Sequence, residues 1–125
     1  ARLPHDADLR EIHFGDWEMQ NFDTIEDQDR LRAFWDEPGL VRAPNGDTWD
    51  EVVTRVDRGI ARAMAVHHGA DIIAVAHMGA ILTQVQQAER VSAYEAFAQK
   101  IDNLSVTELV LEHGGWRAIR INHCP

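Results

Sequence analysis

The stretch Asp71–Val85, DIIAVAHMGAILTQV, constrains this chain more than any other. Gly69 closes a long helical pattern, the short apolar run Ile72–Ala76 follows, and helical spacing resumes from Gly79. The run is too short for a helix, and its isoleucines and valine predict a strand buried on both faces, as in parallel sheets. Helix, strand and helix in that order predict a crossover, and hence an α/β architecture. Ligands of open α/β sheets sit beyond the carboxyl ends of the strands, which is where His77 falls. There the amides of Met78 and Gly79 open the next helix, and free N–H groups aided by the helix dipole attract phosphate or carboxylate. Gly79 lets another group approach the backbone closely. The plainer alternative is that His77 closes the strand by bonding a neighbouring carbonyl.

Upstream, Thr48 and Glu51 have the spacing of a capping box. Trp49, Val52, Val53, Val56, Ile60, Ala63 and Met64 then recur at helical intervals, which predicts an amphipathic helix to about His67. A shorter helix is predicted over Thr24–Trp35, stopped by the sequence EPG at 37–39. The segment LREIHFGDWEMQNFD, residues 9–23, has no sustained period and reads as an ordered loop leading into that helix. Beyond Gly79, helices are expected to about Ala88 and over Ser92–Gln99. SVTELVLEH and GGWRAIRINH then read as a hairpin at one edge of the sheet. No repeat or low-complexity linker interrupts the chain, and 125 residues suit a single domain over 1–125 with a modest core.

Charge narrows the partners. Twelve Lys+Arg stand against 21 Asp+Glu, a formal net charge of -9. Such a surface repels nucleic acid and anionic lipid, so an anion must bind in a local pocket. Cys124 has no internal disulfide partner, which points to a reducing, cytoplasmic setting. No apolar stretch is long enough to cross a bilayer, and the first residues do not form a secretion signal. His67, His68, His113, His123 and Cys124 match no common zinc spacing, so no metal site is expected. Trp17, Trp35 and Trp49 read as packing residues. His13 faces either the cleft or solvent. Ser105 and Thr107 alternate on a strand with no base nearby, and read as sheet residues.

Four motifs in order change the weight of these observations. LREIHFGDWE at 9–18, PNGDTWDEVVTRV at 44–56, VAHMGAIL at 75–82 and IDNLSVTELVL at 101–111 together resemble the histidine phosphatase superfamily. That group includes cofactor-dependent phosphoglycerate mutases and alpha-ribazole phosphatases, and the resemblance spans nearly the whole chain. It implies a phosphoglycerate mutase-like, three-layer α/β/α sandwich. By the same resemblance, the acid/base glutamate falls on Glu11 and the strand-end histidine of the phosphate pocket on His77. The amide of Met78 would contact the phosphoryl group. The implied chemistry is phosphoryl transfer to a nucleophilic histidine and then to water or a hydroxyl. In it, His77 donates to the oxygens where charge develops, and Glu11 handles the leaving-group proton.

The departures are specific. The family opens with a strand ending in R-H-G, which carries the nucleophilic histidine and an arginine clamp, and a second arginine follows it. Neither is found in these residues, and HHG at 67–69 closes a helix rather than a strand. The family glycine after W-E is Met19 here, its H-G-G is His77-Met78-Gly79, and an arginine frequent at the position of Leu82 is absent. The expectation is therefore a partial domain whose first strand and nucleophile lie outside it, inactive on its own. The parent protein would be a phosphatase for a small phosphorylated metabolite, favoured slightly over a mutase because the loop before the long helix is short. The rival is a non-catalytic binding module on the same fold. No cofactor, nucleic acid or membrane partner is expected, and a homo-oligomer is compatible with this reading.

Overall fold

Thr48 stops the chain from entering a helix one residue early and then caps the one that begins. In the computed structural model, which describes residues 1–125, its hydroxyl accepts from the Glu51 amide at 3.2 Å. The Glu51 carboxylate accepts from the Thr48 amide at 2.9 Å in return, completing the box. The 18-residue helix that follows is called α2, Trp49–Val66; α1, Gln28–Asp36, precedes it. The start of α1 lies later than the predicted Thr24. Asp27 supplies the cap, accepting from the Arg30 amide at 3.0 Å, while Phe22–Thr24 is a separate 3-10 turn capped by Asn21.

Helix α3, Met78–Glu89, ends on Arg90 in the left-handed region. Helix α4, Ala93–Phe97, opens on a second capping box, Ser92 with Glu95. Strands β1, Val106–Glu112, and β2, Gly115–His123, pair antiparallel across a turn at His113–Gly114, with register shifts between Val106 and Leu109. The hairpin is therefore where the sequence places it. The larger sheet is not. Ile72–Ala76 forms no ladder, and the predicted buried strand is overturned within these residues: Ile73 is 93% exposed and Val75 98%. The cause is simple. A strand is buried only if neighbours pair with it, and the two strands present pair with each other. The hairpin is thus a two-stranded sheet of its own rather than the edge of a larger one.

α2 and α3 pack on each other, and β2 and α4 also lie against α3. The core is aromatic because loop, α1, α2 and α4 each send rings to one place. Phe34 packs edge-on against Trp17 at 5.7 Å and Trp35 at 5.2 Å, and Trp49 meets Phe97 at 4.4 Å. Such pairs add ~0.5–1.5 kcal/mol beyond their buried area. Trp49 also satisfies its ring N–H on Gln86 Oε1 at 2.6 Å, which ties α2 to α3. Trp17, Trp35 and Trp49 are packing residues, as read. No helix is long and apolar enough to cross a membrane.

Candidate functional site

The irregular segment from Asp6 to Glu18 crosses the molecule as an arm, and each of its turns is fastened. Asp6 caps the 3-10 turn Ala7–Leu9, its carboxylate accepting from the Asp8 amide at 2.9 Å. Asp8 pairs with Arg58 at 2.7 Å and Arg62 at 2.9 Å, and Asp6 with Arg62 at 2.7 Å. The Arg58 and Arg62 guanidiniums hold the Asp8 carboxyl far below the usual carboxylate range. The Asp8 amide and then Arg62 lower that of Asp6. Glu18 accepts from the Phe14 amide at 2.8 Å, and position 15 requires glycine, since φ is 54° and a side chain there would collide with the backbone of Pro44 and Gly46.

This arm delivers Glu11 to the first turn of α3. Its carboxylate accepts from the Gly79 amide at 3.0 Å through Oε2 and from the Ala80 amide at 3.2 Å through Oε1. Oε1 also accepts from the Ile12 amide at 3.0 Å. A carboxylate at a helix N-terminus satisfies donors that the helix cannot and sits at the positive end of its dipole. The group that Gly79 admits is therefore Glu11: a Cβ at 79 would overlap Oε1 and lie 3.1 Å from Cδ.

His77 is the N-cap of α3, with extended backbone (φ -89°, ψ 166°), an exposed ring and no side-chain cap bond. Its carbonyl accepts from the Ile81 amide at 3.1 Å. The ring is thus not spent on closing a strand. Met78 is half-exposed beside it, and its amide has no protein acceptor. Glu11, His77 and Met78 meet at one helix end, with the Glu11 carboxylate on the amides of 79 and 80 and the exposed ring at 77.

Other residues singled out in the sequence go elsewhere. His13 turns back on its own loop, where Nδ1 accepts from the Gly15 amide at 3.1 Å. His67 is the C-cap of α2 and His68 is exposed. Thr107 accepts from the Asn122 amide at 3.2 Å, a sheet role. Met19 is fully exposed at φ 60°, in the left-handed region, where the family glycine would be unstrained.

Sequence reasoning missed Arg55. It is the charged side chain buried in this molecule, 7% exposed, and it donates to the carbonyls of Asp8 (3.0 Å), Arg10 (2.6 Å) and Glu11 (2.9 Å). Its signal was Gly59 one turn further along α2, where a Cβ would sit 3.0 Å from Leu9 Cδ2. An arginine and a glycine four residues apart mark the ridge on which the arm lies.

The family model of the histidine phosphatase superfamily (branch 1) matches residues 1–123. The chain belongs to the histidine phosphatase superfamily. Within this superfamily, the chain is 27% identical over 117 residues to the adenosylcobalamin/alpha-ribazole phosphatase of Escherichia coli, covering 92% of this chain and 53% of that protein. It is 34% identical over 74 residues to the bifunctional protein Rv2228c of Mycobacterium tuberculosis, 58% of this chain and 20% of that one. Among solved structures, Bacillus stearothermophilus YhfR superposes with a TM-score of 0.86 at 23% identity, over 97% of this chain and 61% of that one. The fold is accordingly the phosphoglycerate mutase-like α/β fold of this superfamily, and the chain spans 20% to about half the length of these curated relatives.

Proposed function

We propose that the full-length protein is a phosphomonoester hydrolase for a small phosphorylated metabolite. It works through a phosphohistidine whose nucleophile lies outside residues 1–125, in a reducing cytoplasm consistent with the lone exposed Cys124. The observation that carries this reading is the meeting of Glu11 with the helix end of His77. In it, His77 donates to the equatorial oxygens of the transferring phosphoryl group, and the Met78 amide adds a backbone donor. Such preorganised donors act where charge develops in the transition state. Glu11 gives a proton to the leaving oxygen and takes one from the attacking water, for which its carboxyl must exchange amide donors for the ester oxygen.

Full-length protein assayed on nitrophenyl phosphate and on an alkyl phosphate tests this directly. His77→Ala is expected to lower turnover on both substrates by ~100-fold or more, the usual loss for one oxyanion donor. Glu11→Gln is expected to penalise the alkyl ester more, because its leaving group needs the proton. Equal losses on both substrates would remove Glu11 from the acid role.

One observation favours a second reading, a binding module without turnover. Both Glu11 oxygens already accept from amides, as a purely structural cap would. No turnover of either ester by the full-length protein, together with a melting temperature lowered by Glu11→Gln, would favour it.

A further inference from the structure

We propose that Arg55 is a positioning residue that, with Asp47, fixes the backbone around Glu11 so that its carboxylate reaches the first turn of α3 beside His77. The inference rests on the reading of Glu11 as the acid/base group.

The guanidinium works as a fork. Nη1 donates to the carbonyls of Asp8 and Arg10, and Nη2 to the carbonyl of Glu11 itself. Nη2 also reaches Asp47 Oδ2 at 3.3 Å. Asp47 continues the restraint on the far side of Glu11: its carboxylate accepts from the His13 amide at 3.0 Å, and its own amide donates to the His13 carbonyl at 2.8 Å. Residues 8 to 13 are therefore held by their backbone on both flanks of Glu11. The one side chain between those restraints that reaches α3 through hydrogen bonds is Glu11.

Three carbonyls converging on one buried cation leave the position of Glu11 little freedom. Lysine gathers its three donors on one nitrogen and so does not reproduce contacts divided between Nη1 and Nη2. Removing the fork also takes the donors from three carbonyls at once, which lets the arm shift until water replaces them. A shift of the arm moves Glu11 relative to His77, although neither residue has changed.

The test uses full-length protein, nitrophenyl phosphate and glycerol phosphate, with Glu11→Gln, Arg55→Lys, Asp47→Asn and the double variant Glu11→Gln/Arg55→Lys. A positioning role predicts that Arg55→Lys loses about tenfold more kcat on glycerol phosphate than on nitrophenyl phosphate, with KM little changed. It predicts further that the double variant loses no more than Glu11→Gln alone, because both act on one proton transfer. Asp47→Asn should show the same selectivity to a smaller degree, and it carries the test if Arg55→Lys does not fold. A selective Glu11→Gln alongside an unselective Arg55→Lys and Asp47→Asn would overturn the positioning role alone. Losses that multiply in the double variant would do the same. If Glu11→Gln is itself unselective, the acid reading fails, and the positioning proposal falls with it.

Discussion

A Cβ at Gly79 would overlap the carboxylate of Glu11, so alanine there sets two effects against each other. Alanine in a helix gains ~1 kcal/mol over glycine. Displacing Glu11 forfeits two charge-assisted bonds to amides, each worth roughly 1.5–3 kcal/mol. Gly79→Ala is therefore expected to destabilise the full-length protein by about 2–5 kcal/mol, read as a lower urea midpoint. A gain in stability would mean that Glu11 does not cap α3 in solution. At this scale, the sequence was informative where a residue's neighbours are local. Gly79 is readable as a place of close approach and the resemblance assigns Glu11 to the same pocket, yet local sequence does not show that the group admitted is a carboxylate from 68 residues away. Arg55 was less visible still, because an arginine beside an apolar stripe looks like solvent-facing charge until the arm covers it.

Helix α2 carries Arg55, Arg58 and Arg62 toward the arm, and the last two set a pH limit on its docking. The carboxyls of Asp8 and Asp6 lie below their ordinary range, Asp8 through Arg58 and Arg62, Asp6 through the Asp8 amide and Arg62. A depressed folded-state pKa contributes stability above the unfolded value, ~3.9 for aspartate, and that stability is lost as pH falls toward the folded value. Amides of residues 6–12 are thus expected to lose hydrogen-exchange protection on acidification below about pH 4, before α2 itself unfolds. Since both arginines are half-exposed, salt should weaken the same contacts at neutral pH. Protection independent of both pH and salt would assign the docking to Arg55 and Leu9 alone. The elements themselves were largely legible. The capping box at Thr48, the 3.6-residue stripe of α2 and the Gly-Gly hairpin are all written in adjacent residues. The start of α1 lies later than expected because Phe22–Thr24 closes a turn of its own and the helix waits for the Asp27 cap.

The whole molecule exposes what its elements hide. Ile73 and Val75 stand almost fully open on a segment with no strand beside it. Sequence composition correctly marked Ile72–Ala76 as apolar but was silent on what covers it, since strand pairing depends on distant chain. An open apolar edge recruits another strand. The isolated 125 residues are expected to aggregate or self-associate through this segment, while in the full-length protein its amides are protected by a neighbouring strand. Size-exclusion chromatography with hydrogen exchange on both forms decides this. A monomeric 125-residue chain with slow exchange at 72–76 would refute it. The contact between Glu11 and α3 has a different consequence, in time rather than in space. Its two ends are 68 residues apart, so it closes a long loop, whereas the helical bonds of α3 close short ones. Long-range closures come late in folding. The first turn of α3 is then expected to be secured later than the rest of that helix and to open before it, so that exchange at the end that carries His77 outpaces exchange in the later turns.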